Sequence, residues 1–406
     1  MVVKLGLKDI QAAHDVVRAQ VRHTPVKRSS SLSDQTGADF WLKLENFQRT
    51  GSFKVRGALN KLHHLTAAER KAGVVCASAG NHAQGVAYAA GKAGVKATVF
   101  MPEDAPLAKL VATKGYGADV KLAGRDYQEA FEAAKAFQQA TGATFVHAYD
   151  DLQVMAGQGT IGLELLQDIP KLDTVLVPIG GGGLISGIAA AVKGLNPKVK
   201  VIGVQADGAS TIAPSLVKGK PVALDSVSTM ADGIAVRKTG ELTFPLIQGL
   251  VDEVVTVSEA EIASAVLFLL ERAKAVVEGA GAVCVAAAMH GKVNLKGRTA
   301  CAVVSGGNID MTLVSRIIQR GLVKAGRIAV VEAVISDRPG SLAAFLDVLA
   351  KAKASVIELN HDRDRMDLAL NRTGVQVHVE TRGPEHVAEV KKALKAAGYD
   401  ADIKSA

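Results

Sequence analysis

The stretch KLENFQRTGSFKVRGA, residues 43–58, contains a lysine in a setting that suits reaction with a carbonyl group. Lys54 follows small, turn-forming residues and comes directly after Phe53, where an amphipathic helix pattern begins. A lysine held against an aromatic ring with its stem desolvated is favoured as the neutral amine, and that form makes Schiff bases with aldehydes. The alternative is an ordinary solvated lysine at a helix start, since most lysines are exposed.

A run of glycines lies between an apolar strand pattern and an apolar helix pattern, and it comprises Gly180, Gly181, Gly182 and Gly183, followed by Leu184. Backbone without side chains can approach an anion closely and offer its N–H groups as donors. A flexible linker does not explain the run, because these glycines lie inside a strand–helix unit. The run therefore predicts a phosphate-binding loop.

Two further loops lead from a strand pattern through small polar residues. One contains Ser305, in the stretch SGGN. The other would expose backbone N–H groups at a helix N-terminus, where a carboxylate or phosphate is favoured; it comprises Ser78, Ala79, Gly80, Asn81 and His82. An ordinary helix cap by Ser78 or Asn81 explains the same loop equally well.

These loops belong to a chain in which short β-branched runs alternate with helical patterns. We predict strands at residues 74–77, 97–101, 144–147, 174–177, 199–204, 254–257 and 302–304, and helices at 81–90, 107–114, 127–141, 159–167, 184–193 and 262–273. Such alternation indicates βαβ units and buried parallel sheet. Ligands in these sheets bind beyond the carboxyl ends of the strands, where the loops described above would lie.

Length and composition restrict the class of protein. A chain of 406 residues predicts two or three domains, and 48% apolar with 22% charged residues is typical of soluble globular proteins. The net charge of +8 comes without a basic run interleaved with aromatics, so we expect no nucleic-acid partner. The cysteines, Cys76, Cys284 and Cys301, are odd in number and lie in apolar runs, which favours buried thiols in a reducing compartment.

Neither a signal peptide nor a membrane span is expected. The first residues, MVVKLGLKDIQAAHDVV, carry charges where a signal peptide needs an apolar core. The uncharged stretch 174–192 is nearly long enough to cross a bilayer, but it contains Pro178 and the glycine run. We therefore predict a cytoplasmic protein with no membrane partner.

A Schiff-base lysine and a phosphate loop on one sheet fit pyridoxal phosphate, an aldehyde with a phosphate tail that acts as an electron sink. The rival interpretation is a dinucleotide-binding fold. Residues 181–187 approximate a glycine fingerprint, and Asp207 follows the next strand, where an acid that binds ribose would lie. That interpretation leaves Lys54 and the Asn81 loop without a role.

The motifs ENFQRTGSFKVRGA, SAGNHAQG, PIGGGGL and SGGN resemble, in order and spacing, those of the threonine/serine dehydratases. These are pyridoxal phosphate enzymes of the tryptophan-synthase-β-like class, fold type II. The resemblance covers about residues 5–325 and implies an α/β catalytic domain at 1–325 with two parallel-sheet lobes, the smaller inserted at roughly 45–150.

The implied activity is β-elimination, which converts L-threonine to 2-oxobutanoate and ammonia, with L-serine giving pyruvate as well. A serine or 3-hydroxyaspartate ammonia-lyase stays open as an alternative. So does a non-catalytic amino-acid sensor that keeps the same fold, although a sensor has no need of the Lys54 amine.

The resemblance also implies roles for individual residues. Lys54 would form the Schiff base, and Phe53 would pack beside the cofactor ring. Asn81 would bond the phenolic oxygen of the ring, and Ser305 would meet the pyridine nitrogen. The phosphate would be held by the loop of Gly180, Gly181, Gly182, Gly183 and Leu184, and the substrate carboxylate by the turn of Ser78, Ala79, Gly80, Asn81 and His82.

Two features differ from related serine racemases. Ala79 stands where those enzymes have a serine that acts as a second base, so we expect little racemisation. Gln205 and Thr211 stand where those enzymes have acidic residues that bind a divalent metal, and neither side chain suits a hard cation. We therefore expect no metal site.

The tail, residues 326–406, shows a β-α-β-β-α-β pattern typical of a ferredoxin-like sandwich. Its turn DRPGSL resembles that of ACT domains, which bind small amino acids. Gly340 and Ser341 would offer N–H groups to an effector carboxylate, with Asp337 in the same turn and Asn360 at the facing strand end. The alternative is a dimerisation module without a ligand. Because such modules pair through sheet edges, we expect a homo-oligomer, a dimer or tetramer.

Overall fold

The computed structural model describes residues 4–404, and the chain divides into two compact units. Unit 1 is Met1–Ile309 and unit 2 is Asp310–Ala406. The predicted domain boundary at residue 325 lies after the helix Met311–Lys324, which this division groups with unit 2. The position of the functional boundary stays a prediction.

Unit 1 combines helices with two sheets. Its helices are α1 (Leu7–Val17), α2 (Ser30–Thr36), α3 (Lys54–His63), α4 (Ala67–Ala72), α5 (Asn81–Ala93), α6 (Leu107–Gly115), α7 (Tyr127–Thr141), α8 (Leu152–Asp168), α9 (Gly183–Leu195), α10 (Ile212–Lys218), α11 (Thr243–Leu250), α12 (Glu259–Phe268) and α13 (Gly279–Met289). Its strands are β1 (Val26–Arg28), β2 (Asp39–Leu44), β3 (Val74–Ala77), β4 (Ala97–Met101), β5 (Asp119–Leu122), β6 (Thr144–Phe145), β7 (Thr174–Pro178), β8 (Lys200–Ala206), β9 (Glu253–Val257) and β10 (Thr299–Val304).

The larger sheet has the strand order β1-β2-β10-β7-β8-β9 and is parallel except for the β1–β2 pair. The smaller sheet has the order β5-β4-β3-β6 and is parallel throughout. Strands β3, β4 and β7 are buried along their whole length, as expected for parallel sheets covered by helices on both faces. The predicted α/β fold with two parallel-sheet lobes is confirmed.

Some elements differ from the sequence prediction. Strand β2, which lies beside β10 in the larger sheet, is absent from the sequence prediction because Lys43 interrupts its apolar pattern. The helix predicted at 262–273 is α12 followed by a π-helical turn, Leu269–Ala273, which ends at Lys274 in a left-handed conformation (φ 56°). Glycines in the first turn of α13 obscured that helix in the sequence.

Three helices of unit 1 approach each other through glycines until their backbones touch. A Cβ on Gly57 of α3 would lie 2.6 Å from the carbonyl oxygen of Val154 in α8, and one on Gly157 would lie 2.6 Å from that of Arg56. A Cβ on Gly187 of α9 would lie 2.2 Å from the carbonyl oxygen of Met155. Helix α8 therefore connects α3 to α9 by direct backbone contact.

A buried ion network fixes the start of α3. Arg56 is fully buried, and its guanidinium makes paired hydrogen bonds to Glu45 (2.8 and 2.9 Å) and to Glu164 of α8 (2.6 and 2.9 Å). Burial opposes the charge on Arg56, but the two carboxylates outweigh it and raise the pKa of the guanidinium. Buried Lys43 lies 2.6 Å from Glu164, so the network also includes β2.

Unit 2 is an antiparallel sandwich of α14 (Met311–Lys324), β11 (Ile328–Ser336), α15 (Ser341–Lys351), β12 (Ser355–Asp362), β13 (Arg372–Glu380), α16 (Pro384–Ala396) and β14 (Ala401–Lys404). Its sheet order is β12-β13-β11-β14, and its core includes Val331, Phe345, Val377 and Leu394. The βαββαβ order predicted for the tail is confirmed, whereas its assignment as an ACT domain stays a prediction. Across residues 4–404, no helix has both the length and the apolarity needed to cross a membrane.

We expect Arg56→Met to destabilise the protein by ~3–5 kcal/mol, because two buried carboxylates would lose their shared partner. Urea unfolding followed by circular dichroism measures this loss. The matched control is Arg125→Met, which removes an exposed guanidinium 2.8 Å from Glu129 and should change the free energy of unfolding by less than ~1 kcal/mol. Equal losses in the two variants would contradict the importance of the buried network.

Candidate active site

A cavity of about 530 Å³ in unit 1 lies at the carboxyl ends of β3, β7 and β10. The first turn of α3 and the loops that follow those strands contribute to its wall. Every residue predicted to bind cofactor or substrate lines it, namely Phe53, Lys54, Ser78, Ala79, Gly80, Asn81, His82, Gly180, Gly181, Gly182, Gly183, Leu184 and Ser305. The structure thus brings together all four sequence motifs, while the role of each residue stays a prediction.

Lys54 is the first residue of α3, and its side chain reaches into the cavity from a largely desolvated position. Its Nζ donates a hydrogen bond to the carbonyl oxygen of Ala148 (2.9 Å) and lies 5.2 Å from the centre of the Phe53 ring. Burial lowers the pKa of Lys54 to about 8, although the nearby carboxyl of Glu278 acts in the opposite direction. The amine is therefore much easier to deprotonate than that of an ordinary lysine.

The glycine loop is too tightly packed to accept side chains. A Cβ on Gly181 would lie 2.2 Å from the Tyr149 ring, and one on Gly180 would lie 2.9 Å from the backbone of Ile234. Gly182 has a φ of 98°, which a residue with a side chain rarely adopts, and it precedes the first residue of α9.

The loop also leaves donors available for an anion. The carbonyl oxygen of Gly181 is already occupied, because it accepts a hydrogen bond from the hydroxyl of Thr243 (2.6 Å). The first N–H groups of α9 have no partner within the helix, since the first bond of that ladder runs from Ser186 to Gly182. A backbone cradle at a helix N-terminus fits a phosphate group.

The Ser78–His82 turn provides a second set of backbone donors, at the start of α5. The hydroxyl of Ser78 accepts a hydrogen bond from the N–H of Gly80 (3.1 Å), while no side chain caps the helix itself. The His82 ring is bonded to the carbonyl oxygen of Val146 (2.8 Å), and burial lowers its pKa to about 3, so the ring is neutral. The backbone of this turn, rather than a charged side chain, is thus the part suited to a carboxylate.

Several residues that line the cavity were missed by sequence reasoning. Glu278 is buried and accepts a hydrogen bond from Asn81 (2.7 Å); burial and the charge of Asp232 raise its pKa to about 7. An ion pair between Lys109 of the smaller lobe and Asp232 of the larger (2.6 Å) crosses the cavity wall. The only indication of Glu278 in the sequence is a lone carboxylate within the apolar run at 275–289.

The residues at the metal position of the racemases form a neutral hydrogen-bond network. The amide nitrogen of Gln205 donates to the hydroxyl of Thr211 (3.1 Å), and its oxygen accepts from the N–H of Ile212 (3.0 Å). Within residues 4–404, no group of three or more His, Cys, Asp or Glu side chains is arranged to hold a metal ion. Independence from metal stays a prediction.

The dinucleotide interpretation gains no support from the site. Asp207 is exposed and does not line the cavity, so it is not placed to bind a ribose beside the glycine loop. A phosphate cradle and a desolvated lysine that line one cavity between two parallel-sheet lobes are instead typical of fold-type II pyridoxal phosphate enzymes.

The comparisons with known proteins agree with this class. Residues 17–306 match the family described as "Pyridoxal-phosphate dependent enzyme", and the chain belongs to that family. The predicted cofactor, pyridoxal phosphate, is thereby confirmed.

Three relatives illustrate the range of similarity. An L-threonine ammonia-lyase from Thermotoga maritima is 49% identical over 399 residues, which cover 98% of this chain and 99% of that protein. The processed form of threonine deaminase isoform 2 from Solanum lycopersicum has a TM-score of 0.73 at 37% identity, and the match covers 77% of this chain and 86% of that one. Maize serine racemase has a TM-score of 0.74 at 35% identity, covering 78% of this chain and 98% of its own.

We expect Gly181→Ala to weaken binding of pyridoxal phosphate by ~10-fold or more, because the new methyl group would overlap the Tyr149 ring and open the cradle. Absorbance titration of the cofactor-free protein with pyridoxal phosphate measures the affinity. Gly249→Ala in α11 is the control, since a Cβ there meets nothing within 4 Å. Unchanged affinity in Gly181→Ala would show that this loop does not hold the phosphate.

We also expect the Lys54 amine of the cofactor-free protein to react with an acylating reagent at a rate that rises with pH and is half-maximal near pH 8. Its pKa is lowered, so the reactive neutral form appears at a lower pH than in an unperturbed lysine, whose pKa is about 10.4. Peptide mass spectrometry after labelling at a series of pH values measures this, with Nα-acetyl-lysine as the reference. A half-maximal pH near that of the reference would contradict the desolvated setting.

Proposed function

We propose that the protein is a threonine ammonia-lyase, which converts L-threonine to 2-oxobutanoate and ammonia and also acts on L-serine to give pyruvate. The observation that carries the proposal is that the desolvated amine of Lys54 and the glycine phosphate cradle line the same cavity. The likeness to an L-threonine ammonia-lyase over nearly the whole chain supports the choice of substrate.

Each part of the cavity has a task in this reaction. Pyridoxal phosphate, when bound, supplies the electron sink that lets the substrate α-carbon lose its proton. The Ser78–His82 turn binds the substrate carboxylate through its N–H groups and so orients the α-carbon. The Nζ of Lys54 accepts the α-proton, since its lowered pKa makes the neutral amine available near neutral pH. The β-hydroxyl group of the substrate leaves as that proton is removed and takes up a proton to depart as water; water then hydrolyses the resulting enamine to 2-oxobutanoate and ammonia.

Two residues favour elimination over other reactions of the same cofactor. Ser305, whose hydroxyl makes only a long bond to the carbonyl oxygen of Ala280 (3.4 Å), offers the ring nitrogen a neutral partner instead of a carboxylate. A neutral partner suits a reaction in which the leaving group departs while the α-proton is being removed, because no full carbanion has to persist. Ala79 has no hydroxyl to return a proton from the other face, which argues against a racemase.

Trapping the lysine tests the proposal directly. Borohydride reduction of the loaded enzyme, followed by peptide mapping, should place the pyridoxyl group on Lys54, and Lys54→Ala should lose all measurable 2-oxobutanoate formation from L-threonine. The cofactor-free Lys54→Ala protein should keep the wild-type circular dichroism spectrum. A label on another lysine, or turnover of 3-hydroxyaspartate with none of threonine, would refute the assignment.

We propose in addition that unit 2 binds an amino-acid effector. Asp337 and Asn360 line one polar depression together with residues 361–364, and Asp337 is bonded there to Arg363 (2.8 Å). Gly340 and Ser341 do not line that depression; Gly340, at φ 89°, precedes α15, and Ser341 is its first residue. An effector with its ammonium group at Asp337 and its carboxylate at the start of α15 would use both features.

We propose that the protein forms a homo-oligomer through unit 2. Strand β12 is an edge strand of its sheet, and it exposes Val356, Ile357 and Leu359. An edge with free backbone groups and exposed apolar side chains favours pairing with another copy.

The regulatory proposal predicts that isoleucine or valine changes the rate of threonine turnover, with a coupling of ~1–3 kcal/mol between the two sites. Gly340→Asp should remove this response, because it places a negative charge where the effector carboxylate would lie. Gly340→Ala is the matched control: it imposes the same backbone strain at φ 89° without the charge and should keep the response. A wild-type rate that no amino acid alters would leave unit 2 with an assembly role only.

A further inference from the structure

The side-chain amide of Asn81 is held from both ends. Its nitrogen donates a hydrogen bond to Oε1 of Glu278 (2.7 Å), and its oxygen accepts one from Nδ2 of Asn308 (2.6 Å). The same Nδ2 of Asn308 donates to the backbone carbonyl oxygen of Thr50 (2.8 Å). Four residues that are distant in sequence thus form one chain of hydrogen bonds along the cavity wall.

The donor-to-acceptor direction of this hydrogen-bond chain is fixed at one end by a backbone carbonyl group. The carbonyl oxygen of Thr50 can only accept, so Asn308 must turn its NH₂ group towards it, and both hydrogens of that group are then used. The oxygen of Asn81 must in turn face Asn308. The reverse orientation of Asn81 would set two NH₂ groups against each other and an oxygen against the Glu278 carboxylate. One orientation of Asn81 therefore satisfies every group.

In that orientation the NH₂ group of Asn81 keeps one hydrogen that no atom of residues 4–404 accepts, and Asn81 lines the cavity. We propose that Glu278 and Asn308 are positioning residues, which hold the Asn81 amide so that the bound cofactor meets an N–H donor and not a carbonyl oxygen. The inference rests on the proposed function, in which the acceptor is the phenolic oxygen of pyridoxal phosphate.

A glycine at position 306 leaves the space that this arrangement needs. A Cβ on Gly306 would lie 2.2 Å from Oε1 of Glu278 and 3.2 Å from Nδ2 of Asn81. The backbone N–H of Glu278 donates to the carbonyl oxygen of Gly306 (3.1 Å), which ties the backbone of Glu278 to the loop that begins at Ser305. Gly306 thus leaves space for the Glu278–Asn81 pair and holds the backbone of Glu278 by a hydrogen bond.

Substitutions that change hydrogen-bond polarity at constant shape test the inference. Asn308→Asp replaces a donor by an acceptor, so the Asn81 amide has to reverse and present its oxygen to Glu278. We expect the dissociation constant for pyridoxal phosphate to rise ~10-fold, with a shifted visible absorbance maximum of the loaded protein. Glu278→Gln keeps an oxygen that accepts from Asn81 and should change the constant by less than ~3-fold, whereas Glu278→Leu, which has none, should raise it as Asn308→Asp does.

The double variant Glu278→Gln, Asn308→Asp separates positioning from simple structural support. The introduced glutamine can donate to a reversed Asn81, so the cofactor-free double variant should recover part of the thermal midpoint lost in Asn308→Asp. Its affinity for pyridoxal phosphate should nevertheless stay low, because the reversed amide no longer offers the N–H at the same place. A purely structural role would restore both quantities together, which would overturn the inference.

Asn60→Asp is the matched control for lost stability. Asn60 is buried in α3 and uses its NH₂ group on the backbone and side-chain oxygens of Gln153 (2.7 and 3.0 Å), away from the cavity lining. It should lower the thermal midpoint while leaving the affinity for pyridoxal phosphate unchanged. This inference, but not the proposed function, would be overturned if Asn60→Asp weakened cofactor binding equally. Wild-type affinity for pyridoxal phosphate in both Asn308→Asp and Glu278→Leu would have the same consequence. A wild-type protein that binds no pyridoxal phosphate would overturn the proposed function with it.

Discussion

A guanidinium enclosed by two carboxylates, with no access to water, holds the start of α3. Arg56 satisfies Glu45 and Glu164 at once; without it Glu45 would be an uncompensated buried charge, and Glu164 would keep Lys43 as its cationic partner. Lys54 lies just two residues away, on the same turn of helix. Arg56 thus anchors the turn of α3 that carries the reactive amine, and the charge of the guanidinium is compensated within the protein.

Backbone groups and side chains have different tasks in the cavity. Anionic groups meet N–H donors at the starts of α5 and α9, where the position of each donor is fixed by the helix. The groups with shifted pKa values are side chains: burial lowers the pKa of Lys54 to about 8 and raises that of Glu278 to about 7. Both can thus exchange a proton near neutral pH.

The sequence was sufficient to predict features that depend on local patterns. The parallel sheets, the Lys54 turn, the glycine loop and the βαββαβ tail follow from strand and helix periodicity and from the backbone freedom of glycine. The sequence did not predict features that depend on partners distant along the chain. Asn81 meets Glu278 and Asn308 across 197 and 227 residues, and although Asn308 ends the SGGN motif, no local pattern shows that either residue bonds Asn81. Strand β2 was missed for the same reason, since the partners of buried Lys43, among them Glu164 of α8, are distant in sequence.

The glycine contacts between α3, α8 and α9 have a consequence for the precision of the site. Where helices meet through side chains, their spacing changes whenever a core residue is replaced by a larger or smaller one. Here the spacing is set by main-chain atoms in contact, at Gly57, Gly157 and Gly187. The span from the Lys54 amine to the phosphate cradle is thus a fixed length, which substitutions elsewhere in the hydrophobic core cannot stretch or compress.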